Sequence, residues 1–204
     1  MMRIILTQMD DWYHPSHMRG SREDKAASHE RIVAIAAERI REDGTDQPGV
    51  AEIMKAAGLT HGGFYKHFAS RDELIAEAVQ RAMLDSGPRI AEVIAGADDL
   101  LTAFVDAYLS EDHRDDPGSG CGVAALGTDV ARLGAAPQDA FREQVERYRE
   151  QLQPLFGDDD DDEARRRATT TLCAMVGALI IARGLGPTSE SDELLRDVRE
   201  SLHG

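Results

Sequence analysis

Residues 50–68, VAEIMKAAGLTHGGFYKHF, constrain the fold more than any other stretch of the chain. An apolar helical segment (Val50, Ile53, Met54, Ala57) stops at Gly58. A three-residue turn, Gly58-Leu59-Thr60, leads into a second short helix with Phe64 and Phe68 four apart on one face. Two short helices joined this tightly predict a helix-turn-helix, whose second helix enters the DNA major groove. Gly58 suits the turn because a helix commonly ends in a left-handed residue. Leu59 plugs the angle between the helices, and Thr60 is placed to cap the second one.

The second helix has an unusual composition. His61, Gly62 and Gly63 fill its first turn. Two glycines weaken a helix by roughly 1 kcal/mol each relative to alanine. A helix that only packs gains nothing from them. One whose first turn approaches a nucleic acid gains room, and its dipole favours phosphate there. Tyr65, Lys66 and His67 follow on the face expected to be exposed, all hydrogen-bond donors toward phosphate or base edges. A purely structural helix pair accounts for the turn but not for the glycines and donors together. The predicted DNA surface is Thr60, His61, Gly62, Gly63, Tyr65, Lys66 and His67, with Tyr65 and Lys66 on phosphate and His61 and Gly62 nearest the bases.

The run AAGLT-HGGFYKHF-SRDEL resembles the DNA-binding domain of the tetracycline-repressor-like (TetR/AcrR) family of bacterial regulators. The specific part is Phe64-Tyr65-x-His67-Phe68 followed by Ser70-Arg71-Asp72-Glu73-Leu74. The similarity is strong over residues 25–80 and weaker beyond. Met54 departs from the small residue common there, so the first helix either stands off its partner or methionine bends around it. The resemblance implies an all-α fold: an N-terminal three-helix helix-turn-helix domain and a larger C-terminal helical domain for ligand binding and dimerisation. It implies a homodimer through the last two helices, a pseudo-palindromic double-stranded operator and a small-molecule inducer.

The chain has 204 residues and a net charge of −15, which is surprising for a DNA binder. The distribution removes the difficulty. Residues 19–71 hold nine Lys/Arg against eight Asp/Glu, whereas residues 72–204 hold 13 against 28. An acidic body discourages non-specific DNA association, and a weakly charged head needs dimerisation for tight binding. With two cysteines and no signal-peptide core, a cytoplasmic location without a membrane partner is expected. No apolar run of about eighteen residues is expected to span a membrane. No cofactor and no metal site are expected; the acidic run 158–163 lacks the alternation and glycine of a calcium loop.

In chain order, residues 1–20 lack helical periodicity and read as a disordered extension, with Met18 a possible second start. Trp12, Tyr13, His14 and His17 offer at most a local contact, while Arg19 and Arg22 suit a basic arm. Residues 21–70 are assigned to the helix-turn-helix domain, with helix 1 over 23–43. Residues 71–204 are assigned to the regulatory domain, with a connecting helix over 71–87. Ser70 and Glu73 form a capping box. Arg71 is placed either to reach DNA backbone or to remain solvated. Gly87-Pro88 marks the boundary with the body. Helices are predicted over 100–110, 137–156, 163–184 and 189–202, with a non-helical loop at 111–120.

Candidate ligand-lining residues are Phe104, Tyr108, Cys121, Phe141, Tyr148 and Met175; ordinary core is the competing assignment for each. Cys121 follows a Gly-Ser-Gly turn near a helix start, where a thiol pKa is lowered. The element resembles a branch of the family in which some members sense electrophiles or oxidants, although Gly122 stands where proline is common. Cys173 is expected to be inert core. Catalysis by Cys121 with His113 lacks an orienting third group, and no catalytic motif is present, so the chain reads as a non-enzyme. The leading expectation is a ligand-responsive repressor. The alternative is a small-molecule or redox-sensing binding protein of the same fold with little or no operator binding.

Overall fold

The computed structural model describes the backbone of residues 15–94, 96–157 and 162–203, with side chains described from residue 22 except for 86–94. The described residues form helices joined by turns and loops, without strands. Helix α1 spans Pro15–Asp43, α2 Val50–Ala56, a 3₁₀ helix His61–Lys66, and α3 Arg71–Ile94. The body adds α4 Leu100–Tyr108, α5 Glu111–Asp115, α6 Gly122–Val130, α7 Ala135–Leu152, a 3₁₀ turn Gln153–Leu155, α8 Asp162–Leu185 and α9 Ser189–Leu202.

The head is built around the predicted apolar stripes. Ile32, Ala36, Ile40, Leu74, Ala78 and Ala82 are fully buried, and α1 packs along α3. Helix α3 runs unbroken through Gly87-Pro88 to Ile94, so that pair does not punctuate the backbone. Helix α1 begins at Pro15 rather than near residue 23, which makes residues 15–20 helical and places Arg19 and Arg22 on a helix. The proposed extension over residues 1–14, including Trp12, Tyr13 and His14, lies outside the described residues. So do residues 158–161 of the acidic run; Asp162 and Glu163 form the first turn of α8, where negative charge is favourable.

The stretch 111–115 is helical, contrary to the predicted loop. Ser110 caps it, its Oγ accepting the His113 amide at 3.2 Å, and Glu111 and Asp112 occupy the first turn. The buried Arg114 then ties this short helix to α9 through Asp192 at 2.5 Å and Ser191 Oγ at 2.9 Å. These long-range partners override a local composition that lacks helical character.

Helix α8 is long and apolar enough, by length and composition alone, to cross a membrane, contrary to the sequence expectation. In the fold its inner face carries Ala168, Leu172, Met175, Leu179 and Ala182, all buried. It packs on α9, α7 and α6. Cys173 is exposed on the opposite face rather than buried, because its position falls between the inward rows of the helix.

The head joins the body through named polar contacts. The Thr45 amide donates to Asp129 Oδ2 on α6 at 2.8 Å, and Arg41 Nε donates to Gly118 O at 2.6 Å. At the start of α6, Gly122 lies directly against the backbone of α3.

Candidate nucleic-acid interface

The turn of the helix-turn-helix is a complete Schellman motif. The Gly58 amide donates to Lys55 O at 3.0 Å and the Leu59 amide to Met54 O at 2.9 Å. Gly58 has φ +73°, the left-handed conformation the motif requires. Leu59 is half-buried against the core.

The second helix is a six-residue 3₁₀ helix. Its first turn closes from the Gly63 amide to Thr60 O at 2.9 Å, and Thr60 makes no side-chain cap, contrary to the predicted role. The i-to-i+3 closure uses the backbone carbonyl and leaves the hydroxyl on the exposed side. Phe64 and Phe68 anchor the helix; both are buried, with rings 5.5 Å apart and stacked. Met54 is fully buried, and its Cε lies 3.6 Å from where a Cβ on Gly63 would stand. Methionine therefore reaches over the second helix, filling space that glycine leaves open. Gly62 is different: a Cβ there would meet nothing within 4 Å. The room at Gly62 faces outward, so nothing inside the described protein demands glycine.

Thr60, His61, Gly62 and Lys66 are exposed, and Tyr65 is 73% exposed with its ring edge-on to Phe64. These residues form one contiguous outward surface. His67 departs from the expected face. It is half-buried at the helix end, its ring centroid 6.1 Å from that of His29, and its Nδ1 is buried without a hydrogen bond. His29 in turn stacks on Phe68 and bonds Glu77 at 2.7 Å, joining α1 to α3 behind that outward surface. Arg71 also turns inward: its Nη2 donates to Thr45 O at 2.6 Å. It clasps the loop between α1 and α2, a role invisible in sequence because its partners are main-chain carbonyls 26 and 23 residues upstream. Ser70 caps the Glu73 amide at 3.2 Å, while the Glu73 carboxylate bonds the amide of Ala69, one residue before the usual capping-box partner.

Desolvation lowers the His67 pKa, with smaller contributions from His29, Lys25 and Lys66. Its folded value therefore lies below the unfolded value of about 6.5, and the unfolded chain binds the proton more readily. This group's contribution to stability is complete above that value and declines as pH falls below it. His67→Asn is expected to flatten the loss of thermal stability between pH 7 and pH 5; an unchanged slope would remove His67 as a source of it.

In the body, Tyr108, Cys121 and Tyr148 come together. Cys121 is 1% exposed, its Sγ 3.6 Å from Tyr148 Oη. Burial pushes the Tyr108 phenol well above its ordinary range, with Cys121 the next largest cause. Phe104 neighbours Tyr108 at 6.1 Å between ring centroids, Met175 is fully buried, and Phe141 is half-buried beside Gly127. His113 Nε2 accepts the Cys121 backbone amide at 3.0 Å, so its proton sits on Nδ1, which donates to Tyr108 O at 2.6 Å. Nε2, the acceptor nitrogen, is therefore engaged by the main chain of Cys121 and not poised as a base toward its thiol. Among the described residues no group of three or more His, Cys, Asp or Glu forms a metal cluster.

Residues 32–78 match the family model described as bacterial regulatory proteins, tetR family. An uncharacterized HTH-type transcriptional regulator of Mycobacterium tuberculosis is 31% identical over 105 residues, covering 50% of this chain and 52% of that protein. The Bacillus subtilis HTH-type regulator YvdT, also uncharacterized, is 28% identical over 95 residues, covering 44% and 49%. The chain thus spans about half the length of the curated relatives it matches. The likeness to solved structures extends further. A TetR transcriptional regulator from Chloroflexus aurantiacus superposes with a TM-score of 0.74 at 25% identity, covering 88% of this chain and 94% of that one. The family model thus places residues 32–78 with the N-terminal domain of the tetR family of bacterial regulatory proteins, and the architecture shared with a solved TetR regulator extends through the body.

Proposed function

We propose that this protein is a sequence-specific DNA-binding transcriptional regulator, a ligand-responsive repressor that acts as a homodimer on a pseudo-palindromic operator. The observation that carries the proposal is the outward surface of Thr60, His61, Gly62, Tyr65 and Lys66 on a short helix whose buried face is fixed by Phe64 and Phe68. Lys66 is assigned to phosphate. Lys66→Ala should weaken binding to all sequences alike and reduce the salt dependence by about one unit per half-site. Selection from random duplexes, followed by salt titration of the enriched sequence, tests both statements. Failure to enrich any sequence would count against an operator reader and favour a binding protein of the same fold.

Dimerisation is assigned to the outer faces of α8 and α9. Ile180 and Ile181 are 46% and 54% exposed on α8, in line with Cys173, Gly177 and Gly184. Small residues between exposed isoleucines permit close helix approach, and two such helices need an apolar partner. Light scattering is expected to give a dimer for the unaltered protein and a monomer for Ile181→Asp. A dimer that survives the substitution would place the interface elsewhere. The ligand is assigned to the body around Tyr108, Cys121 and Tyr148. It would act by stabilising one separation of the two reading helices over the other, since a ligand shifts an equilibrium only by its differential affinity. Two helices entering successive major grooves stand about 34 Å apart.

A further inference from the structure

Away from the reading head, three arginines line one cleft of about 440 Å³ between the end of α1, the α5–α6 loop and the C-terminal end of α8: Arg41, Arg114 and Arg183. Arg114 is fully committed, paired with Asp115 at 2.7 Å and Asp192 at 2.5 Å. The other two are held chiefly by neutral main-chain carbonyls. Arg41 Nε donates to Gly118 O at 2.6 Å. Arg183 donates from Nη2 to His113 O at 2.8 Å and from Nε to Arg114 O at 3.3 Å.

Each leaves its Nη1 buried and without a hydrogen bond. Arg41 is 7% exposed, and its ion-pair contact, Asp85 Oδ2, lies 3.7 Å from Nη1, beyond hydrogen-bond reach. Asp85 is itself engaged by Arg81 Nε at 2.6 Å. Arg183 has no carboxylate within 4 Å among the described residues; Asp116 acts on it only at longer range. Burial lowers the pKa of both guanidinium groups, the mark of cations taken from water without full compensation. Gly120 makes room for one of them. Its φ is not left-handed, yet a Cβ there would stand 2.7 Å from Arg183 Nη2 and 3.0 Å from the His113 ring.

We propose that this cleft binds a small organic carboxylate that draws the unpartnered Nη1 donors of Arg41 and Arg183, buried in the described structure, into hydrogen bonds with its oxygens, while its apolar part lies on Ala124, Ile180 and Pro187. Planar guanidinium donors match a carboxylate in geometry. Glu42 and Asp115 also line the cleft, so a singly charged anion fits better than phosphate or another multiply charged one. The site adjoins the Tyr108–Cys121–Tyr148 cluster, because Arg183 acts electrostatically on Tyr108 and Cys121 and donates to His113 O, and a bound carboxylate would bridge α1 of the head to α8 of the body.

Isothermal titration of benzoate, acetate and sulfate into the full chain, at constant ionic strength set with chloride, tests this without DNA. Benzoate is expected to give a saturable one-to-one isotherm. Arg183→Gln should weaken it on the order of tenfold to hundredfold, because a charge-assisted hydrogen bond is lost. Arg165→Gln, which alters an exposed arginine of the same helix, should leave it unchanged. Should Arg183→Gln fail to fold, Arg183→Lys keeps the charge without the planar donor pair and should still weaken binding about tenfold. No saturable heat with benzoate, or unchanged affinity in the Arg183 variants, would overturn the proposal. Sulfate or acetate binding as tightly as benzoate would show a bare oxyanion site and overturn the organic-acid assignment.

Discussion

Gly122→Ala is expected to lower the thermal midpoint by about 6–12 °C. The first residue of α6 lies against α3 with no room for a side chain. A Cβ at Gly122 would stand 2.6 Å from Ala82 O, 2.9 Å from Ala82 C and 3.3 Å from Met83 N. The obstacle is helical backbone, which cannot rotate away, so α6 must move as a unit. Over-packing of this kind costs about 3 kcal/mol at the upper end of its usual range. Gly127→Ala, five residues along the same helix, is the control. There a Cβ would make ordinary contact with the Phe141 ring at 3.7 Å, and alanine gains up to about 1 kcal/mol of helix propensity. Its midpoint should hold or rise. Thermal denaturation followed by circular dichroism compares the two; equal midpoints would mean that α6 is not wedged against α3 as described. The same contact matters for function, because Asp129 at the other end of α6 holds the Thr45 amide of the head. A displaced α6 carries that contact with it.

Tyr65→Phe is expected to weaken operator binding roughly hundredfold while leaving the fold untouched. Tyr65 is 73% exposed, and phenylalanine keeps the edge contact its ring makes with Phe64. Only the hydroxyl is lost. A hydrogen bond to a charged group contributes about 1.5–3 kcal/mol. Over the two half-sites of the proposed dimer the loss is counted twice and reaches about 3 kcal/mol even at the lower figure. The proposed contact is to phosphate, so the loss should be the same for every sequence tested. Electrophoretic mobility or anisotropy titration on the selected operator measures it. An unchanged affinity would remove the Tyr65 hydroxyl from the phosphate contacts.

The parts of this architecture encoded by local periodicity were legible in the amino-acid sequence. The Gly58 turn, the Phe64/Phe68 anchor and α9 over Ser189–Leu202 all follow from spacing within a single element. What escaped depends on partners distant in sequence. Gly87-Pro88 looks like punctuation, but α3 continues through it to Ile94. The polar run at 111–115 looks like loop, yet Ser110 and the buried Arg114 make it helical. Arg71 and His67 show the same limit within the reading head. Both are polar and lie in the right stretch, and both turn inward because their neighbours, Thr45 and His29, come from the other side of the domain. Cys173 erred the other way: an apolar neighbourhood in sequence does not say which face of α8 is covered.

The central claim is that the outward surface of the 3₁₀ helix reads one operator. Fluorescence anisotropy of the purified protein, on duplexes tiled across the region upstream of its own gene and at two salt concentrations, tests it most directly. The account predicts tight, salt-sensitive binding to one tile, reduced roughly hundredfold by Tyr65→Phe. Uniformly weak binding to every tile, unaffected by Tyr65→Phe and followed by no enrichment from random duplexes, would contradict it.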